Sequence, residues 1–335
     1  MFSDEIKTIK NFIWECISTG NFSDAQKLAR QIKKILSLLP KIIVILILPC
    51  GRIRRVYLWN SLIRRMYRSF RLSLWQARRW FSKRLIIHVY SICWNGEILL
   101  PYFLRHYSKI ADKIFIYDNM SNDNSVAIIK SFSNTKVIRF DSGDEAREDI
   151  QLKIRLNEWK KSRGLADWVI IVDTDEFLYH KNLVEYLTMC KKKGITMPIT
   201  LGFDMVSETL PTSSGMIYDE IKLGVFNKNY CKSCVFNPNL VYEINYEPGC
   251  HWAHPVGRIV FDNSGELKLL HYRYISLDYV LKRYRLYRSR KSEINKKMGW
   301  GRQYDFESEA IKKFNMLKNS AVDVVSRDNR RDNIK

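Results

Sequence analysis

No stretch of this chain stays apolar for the roughly 20 residues that a membrane-spanning helix needs. The longest apolar run, Ile35 to Pro49, is broken by Pro40 and Lys41. A Gly-x-x-x-x-Gly-Lys phosphate loop is also missing, which argues against P-loop chemistry. Acidic residues are absent from Ala25 to Gly96, a window that holds 16 of the 56 Lys and Arg residues. Outside it, 40 basic residues face 35 acidic ones, so the net charge of +21 belongs mainly to an N-terminal arm. No known nucleic-acid module accompanies those arginines, and no nucleic-acid partner is expected. Met1 to Glu5 carries acids with no apolar run behind it, so no secretory leader is expected. The seven cysteines are an odd number, which fits a reducing, cytoplasmic compartment.

What is present divides the chain into an arm (1–84), a body (85–318) and a polar tail (319–335). Ile6, Ile9, Ile13 and Ile17 have helical spacing, Gly20-Asn21 interrupts it, and Ser23 with Gln26 forms a capping box for a second helix. This hairpin resembles one tetratricopeptide unit, but a single unit cannot build a solenoid. Residues 52–84 place Val56, Trp59, Ile63, Met66, Phe70, Leu74 and Phe81 on one side of a helix and most of the arginines on the other. That is the pattern of a basic helix lying on a membrane surface, with a helix packed on the body as the competing reading.

From Leu85 the pattern changes. Apolar runs at Leu85–Cys93, Lys113–Tyr117, Lys136–Phe140 and Trp168–Val172 alternate with helical segments at Glu97–Tyr107, Ser125–Phe132 and Ile150–Arg163. Strands alternating with helices imply βαβ units and a parallel sheet. A helix at Leu183–Lys193, a strand at Leu269–Tyr274 and a long Arg/Tyr-rich helix at Leu277–Lys296 follow. Two of the expected strands end in acidic clusters, at Asp118–Asp123 and at Asp173-Thr174-Asp175-Glu176. Parallel sheets bind ligands at the carboxyl ends of their strands. Residues two apart on an extended chain point the same way, so Asp173 and Asp175 can converge on one hard cation such as Mg²⁺ or Mn²⁺.

Asn95-Gly96-Glu97, Asp118-Asn119-Met120-Ser121-Asn122-Asp123 and Asp173-Thr174-Asp175-Glu176-Phe177 together resemble the signature of a bacterial subgroup of family 2-type glycosyltransferases. Gly249-Cys250-His251 and Leu270-His271-Tyr272-Arg273 fit the same subgroup, and the resemblance spans roughly residues 85 to 300. It implies a GT-A fold: a Rossmann-like, mostly parallel α/β sheet with helices on both faces, here carrying an N-terminal helical basic extension. It also implies an inverting, metal-dependent transfer of a sugar from a nucleotide-sugar donor. The acceptor would be a glycan or lipid-linked glycan of a cell-surface polysaccharide, met at the inner face of the cytoplasmic membrane. Under it, Asp118, Asn119 and Asp123 hold the nucleotide, Asp173 sits near the ribose and the metal, and Asp175 and His271 serve the metal or diphosphate. The base for the acceptor hydroxyl would be a carboxylate, with Asp204, Glu208 and Glu176 as candidates.

Two other readings stay open at this stage. A metal-dependent nucleotidyl or phosphoryl transferase also uses Asp pairs on βαβ sheets, and a membrane-attached scaffold would use the arm alone. Separately, Cys231-Lys-Ser-Cys234, Cys250-His251 and His254 approximate a zinc-ribbon spacing without a second Cys-x-x-Cys.

Overall fold

A computed structural model describes residues 84–262 and 264–326. The hairpin expected at 1–38 and nearly all of the basic helix expected at 52–84 lie outside the described residues.

The elements run β1 (Ile87–Cys93), α1 (Leu100–Ser108), β2 (Lys113–Asp118), α2 (Ser125–Lys130), β3 (Thr135–Arg139), α3 (Glu148–Asn157), β4 (Trp168–Ile171), β5 (Glu176–Tyr179), α4 (Leu183–Lys192), β6 (Met197–Pro198) and β7 (Leu201–Ser207). They continue with α5 (Ile217–Glu220), β8 (Leu223–Phe226), β9 (Val235–Phe236), β10 (Val241–Glu243), β11 (Val256–Gly257), β12 (Phe261–Asp262), β13 (Lys268–Ile275), α6 (Leu277–Ser289), α7 (Glu293–Met298), α8 (Glu307–Ser320) and β14 (Val322–Asp323).

One mostly parallel GT-A sheet is not what these elements build. There are two separate five-stranded mixed sheets, ordered β3-β2-β1-β4-β9 and β14-β8-β7-β13-β5. In the first, β3, β2, β1 and β4 are parallel and β9 is antiparallel to β4. In the second, β13 is parallel to β7 but antiparallel to β5, and β8 is antiparallel to both β7 and β14. The cause is the link between β4 and β5. A parallel return needs a crossover of a dozen or more residues, and only Val172 to Asp175 separate these strands. The chain therefore leaves the first sheet at its carboxyl edge and enters the second.

Both faces of the first sheet are covered. Ile87, Val89, Ile114, Ile116, Trp168 and Ile170 face one core, where they meet α1 and strands β5, β7 and β13. Tyr90, Tyr117, Val169 and Ile171 face a second core with Trp159 and Phe236. Period-2 alternation accounts for the division. Helix α1 contributes Leu100, Phe103, Leu104 and Tyr107, all fully buried and at i, i+3, i+4 and i+7. Pro101 is tolerated because it sits in the first turn, where its missing N–H has no partner to lose.

Two further expectations change. The long helix at Leu277–Lys296 is divided into α6 and α7, because the Ser292 side chain accepts a hydrogen bond from Asn295 N and starts a new helix. The polar tail begins later than residue 319: Val322–Asp323 pairs with β8, and Lys268 Nζ donates to Val324 O at 2.7 Å.

His106 on α1 gives a test of this core. Its Nε2 lies 3.0 Å from Leu178 O, and burial holds its pKa down at about 4, the Leu178 hydrogen bond notwithstanding. The unfolded chain would protonate it near 6.5, so between pH 6.5 and 4 the unfolded state binds more protons and stability falls as pH falls. A shift of this size amounts to roughly 3 kcal/mol across that window. In His106→Gln the acid-side slope of unfolding free energy should flatten by that amount. Parallel wild-type and variant curves would refute the assignment.

Candidate active site

The four residues from Asp173 to Glu176 bridge the two sheets. Glu176 N donates to Asp173 O at 3.0 Å and Asp173 N to Glu176 Oε2 at 3.1 Å, which closes a tight turn. Tyr272 N then ties Asp175 O to β13 at 2.8 Å. On the second sheet His271 is in register with Glu176 on one side and Asp204 on the other. Three ionisable side chains thus form one row across β5, β13 and β7.

That row ends in a chain of contacts. His271 Nδ1 is 3.1 Å from Asp204 Oδ1, and Nε2 is 3.5 Å from Asp175 Oδ2. Burial disfavours the His271 imidazolium, but the carboxylates of Asp175 and Asp204 outweigh it and push its pKa up to about 9. Burial likewise opposes ionisation of Asp175, yet His271, Arg283 and Arg273 hold its carboxyl well below the usual range. Tyr230 stacks on the His271 ring at 4.1 Å. Gly202 makes that approach possible, since a Cβ there would lie 2.3 Å from the Tyr230 backbone.

The other acids are paired too. Asp173 Oδ1 accepts from Arg155 Nη2 at 2.6 Å, and Arg155 also meets Glu148 at 3.5 Å. Burial would raise the Asp173 carboxyl, but Arg155 and Lys232 keep it below its ordinary value. Glu176 is ion-paired with Lys232, both side chains at least 96% buried.

These groups line a cleft of about 440 Å³, the size of an ordinary small-molecule site. Its far wall comes from α6 and the segment after it, through Tyr279, Arg283, Tyr287, Arg290 and Lys291. Of the residues singled out from sequence, Asn119, Asp173, Asp175, Glu176 and His271 line the cleft. Asp118, Asp123 and Asp204 do not. Asp118 is fully buried, with Oδ2 near Ser121 N (3.3 Å) and Arg139 (3.7 Å). Asp123 receives hydrogen bonds from Glu97 N and Ser125 N. Asn95 and Asn122 exchange two more at 2.7 and 3.0 Å, so the Asp-Asn-x-Ser-x-Asp motif clasps the loops after β1 and β2 together. Asp204 is 2% exposed and held by His271 and Asn227. Glu208 is exposed and pairs with Lys318.

Sequence reading passed over Arg155, Tyr230, Lys232, Arg273 and Arg283 as site residues. The Arg/Tyr richness after Leu277 was a signal for Arg283, and the Leu270-His271-Tyr272-Arg273 motif contained Arg273; Arg155, Tyr230 and Lys232 carried no signal. Among the described residues, no three or more His, Cys, Asp or Glu side chains gather as a metal-ligand group, whether at Cys231/Cys234/Cys250 or at Asp173/Asp175/His271. Nor, among the described residues, is any helix long and apolar enough to cross a membrane.

No family model and no curated protein matches this chain. Among solved structures it has distant similarity to two crystal structures of S. aureus TarS. For TarS 1–349 the identity is 12% over 62% of this chain and 65% of that one, with a TM-score of 0.38. For the longer TarS chain it is 11% over 70% of this chain and 44% of that one, with a TM-score of 0.33. The chain thus spans less than two thirds of either TarS structure.

Proposed function

We propose that this protein is a glycosyltransferase that uses a nucleotide-sugar donor. The observation that carries the reading is the cleft at the joint of the two sheets, where Asp173 and Asp175 stand beside His271 and a wall of arginines. Such a lining suits a polar, multiply charged ligand and not an apolar one. The motif resemblance at Asn95–Glu97, Asp118–Asp123 and Asp173–Phe177 supplies the reaction class.

A divalent cation fits the donor set. Asp173 and Asp175 each spend one oxygen on a protein partner, and their side chains are 39% and 31% exposed. Two hard carboxylates suit Mg²⁺ or Mn²⁺, ions commonly held by one or two carboxylates together with substrate phosphates. When bound, such an ion neutralises a leaving diphosphate. His271, oriented by Asp204 at Nδ1, keeps Nε2 directed at Asp175, as outer carboxylates orient metal-site histidines.

In the transfer, the acceptor hydroxyl oxygen bonds to the anomeric carbon and the bond from that carbon to the diphosphate breaks. The nucleoside diphosphate departs with the electron pair, and the hydroxyl proton passes to a carboxylate. Of the three carboxylates put forward as that base, Glu176 lines the cleft, Asp204 works through His271, and Glu208 pairs with Lys318 away from it.

The acceptor side of the reading, a glycan or lipid-linked glycan, rests on the motif resemblance, and its place at the inner face of the cytoplasmic membrane on the residue 52–84 pattern. Hydrolysis of UDP-, GDP-, dTDP- and CMP-sugars with Mn²⁺ tests the donor side, and salt-reversible co-sedimentation with anionic vesicles tests the attachment. Release of free sugar from one donor class is expected, and inertness toward all four would overturn the reading.

A further inference from the structure

Every acid in the cleft already has a cationic partner. Asp173 and Glu148 share Arg155, Asp175 faces His271, and Glu176 faces Lys232. Of the cations on the far wall, Arg290 is paired with Asp144 and Lys291 with Asp305. Two guanidinium groups are left over. Among the described residues Arg273 forms no ion pair, and its Nη2 is buried without a hydrogen-bond partner. It is framed instead by the rings of Tyr304, Tyr284 and Tyr274, at 4.9, 5.3 and 5.8 Å. Among the described residues Arg283 donates to neutral oxygens alone, Asn95 O and Tyr287 Oη, both at 3.2 Å.

Arg273 stands where β13 slips register against β7, between His271 and Tyr274. A bulge of this kind re-aims a side chain beside a site. Both arginines line the cleft together with Asp175, and both act on its carboxyl. A half-buried guanidinium without a counter-charge is costly, and two of them beside the same carboxylate repel each other. Tyrosine rings offset part of that cost, since a cation over an aromatic face gains about 0.5–2 kcal/mol. What remains, among the described residues, is two guanidinium groups without an ion-pair partner in a cleft that also presents free carboxylate oxygens.

We infer that Arg273 and Arg283 form an oxyanion pair that takes the diphosphate of the donor, and that this binding does not wait for a divalent cation. The inference rests on the nucleotide-sugar reading above and names the residues that recognise its charged part. Two guanidinium groups match the two negative charges of an esterified diphosphate, and their planar forks are the donors best shaped for phosphate oxygens.

The test is a titration of the full-length protein in EDTA with uridine, UMP, UDP, guanosine, GDP, pyrophosphate and inorganic phosphate. In the wild type, affinity should rise from nucleoside to diphosphate for one base. In Arg273→Gln and Arg283→Gln that rise should shrink by about ten- to a hundredfold each, the weight of a hydrogen bond to a charged group, while nucleoside affinity stays constant. Because Arg273 is unpaired in the free protein, Arg273→Gln should melt no lower than wild type. A variant that melts early yet binds UDP and GDP like wild type would overturn the inference. So would wild-type affinities equal for nucleoside and diphosphate, which would leave the nucleotide reading standing. Pyrophosphate binding that both variants weaken, with no nucleotide bound by the wild type, would keep the oxyanion pair and sink the nucleotide reading. If the variants keep UDP and GDP affinity but lose inorganic phosphate bound beside the nucleotide, the pair serves an acceptor phosphate and the donor assignment falls.

Discussion

Asp175→Asn is expected to lower donor turnover by about 10²–10³-fold, the scale of losing one preorganised electrostatic contact. The substitution keeps the size of the side chain and removes its charge. It takes away the anionic contact with His271 at 3.5 Å and one of the two carboxylates put forward for the cation. The fold should barely register the change. The side chain is 31% exposed, and the backbone of Asp175 keeps its hydrogen bond from Tyr272 N. Donor consumption with Mn²⁺ and with EDTA, together with a melting curve, separates the possibilities. A variant that keeps more than a tenth of wild-type turnover would remove Asp175 from the chemistry. Wild-type turnover unaffected by EDTA would remove the cation while leaving the arginine pair to be judged by binding.

Lys232→Met should cost about 3–5 kcal/mol of stability, the range for removing one partner of a buried ion pair. Lys232 and Glu176 are almost wholly enclosed, so the carboxylate left behind would be poorly solvated. The double variant Lys232→Met/Glu176→Gln should recover most of the loss, because a neutral amide needs no counter-charge and its oxygen can still accept from Asp173 N, as Glu176 Oε2 does. Denaturant midpoints of wild type, single and double variants give the comparison. A single variant within about 1 kcal/mol of wild type would mean that the pair behaves as an exposed one. The same pair anchors the turn that carries Asp173 and Asp175, so the single variant should also weaken diphosphate binding with Mn²⁺.

Local pattern was enough for the four parallel strands of the first sheet and not for its antiparallel edge strand β9. The runs at Leu85–Cys93, Lys113–Tyr117, Lys136–Phe140 and Trp168–Val172 are β1 to β4 within two residues at either end. They could be read because each is a short apolar run closed by polar residues. Asp173 and Asp175 were equally legible, since two carboxylates at the end of a buried strand have nowhere to point but the cleft edge. Asp118 and Asp123 show the limit of the same logic. They end a strand just as well, yet Asp118 Oδ2 accepts from Ser121 N and Asp123 accepts from Ser125 N and, across the clasp, from Glu97 N. A motif states which residue types are present and not which way they turn once a neighbouring loop offers donors.

The sequence by itself determined the strand–helix rhythm of the body, the β4 carboxyl end and its Asp-x-Asp, and the apolar stripe of α1, because each depends on residues close together along the chain. Only the tertiary structure decided the rest. The second sheet joins strands as far apart as Glu176–Tyr179 and Val322–Asp323, and their pairing follows from a link too short for a parallel return. Arg155, Lys232, the His271–Arg273 stretch of β13 and Arg283 come from four different segments, and no spacing along the chain relates those four. Which acids are neutralised and which arginines are left unpaired is a matter of distances in space, because Coulomb interaction falls with separation through the fold and takes no account of order along the chain.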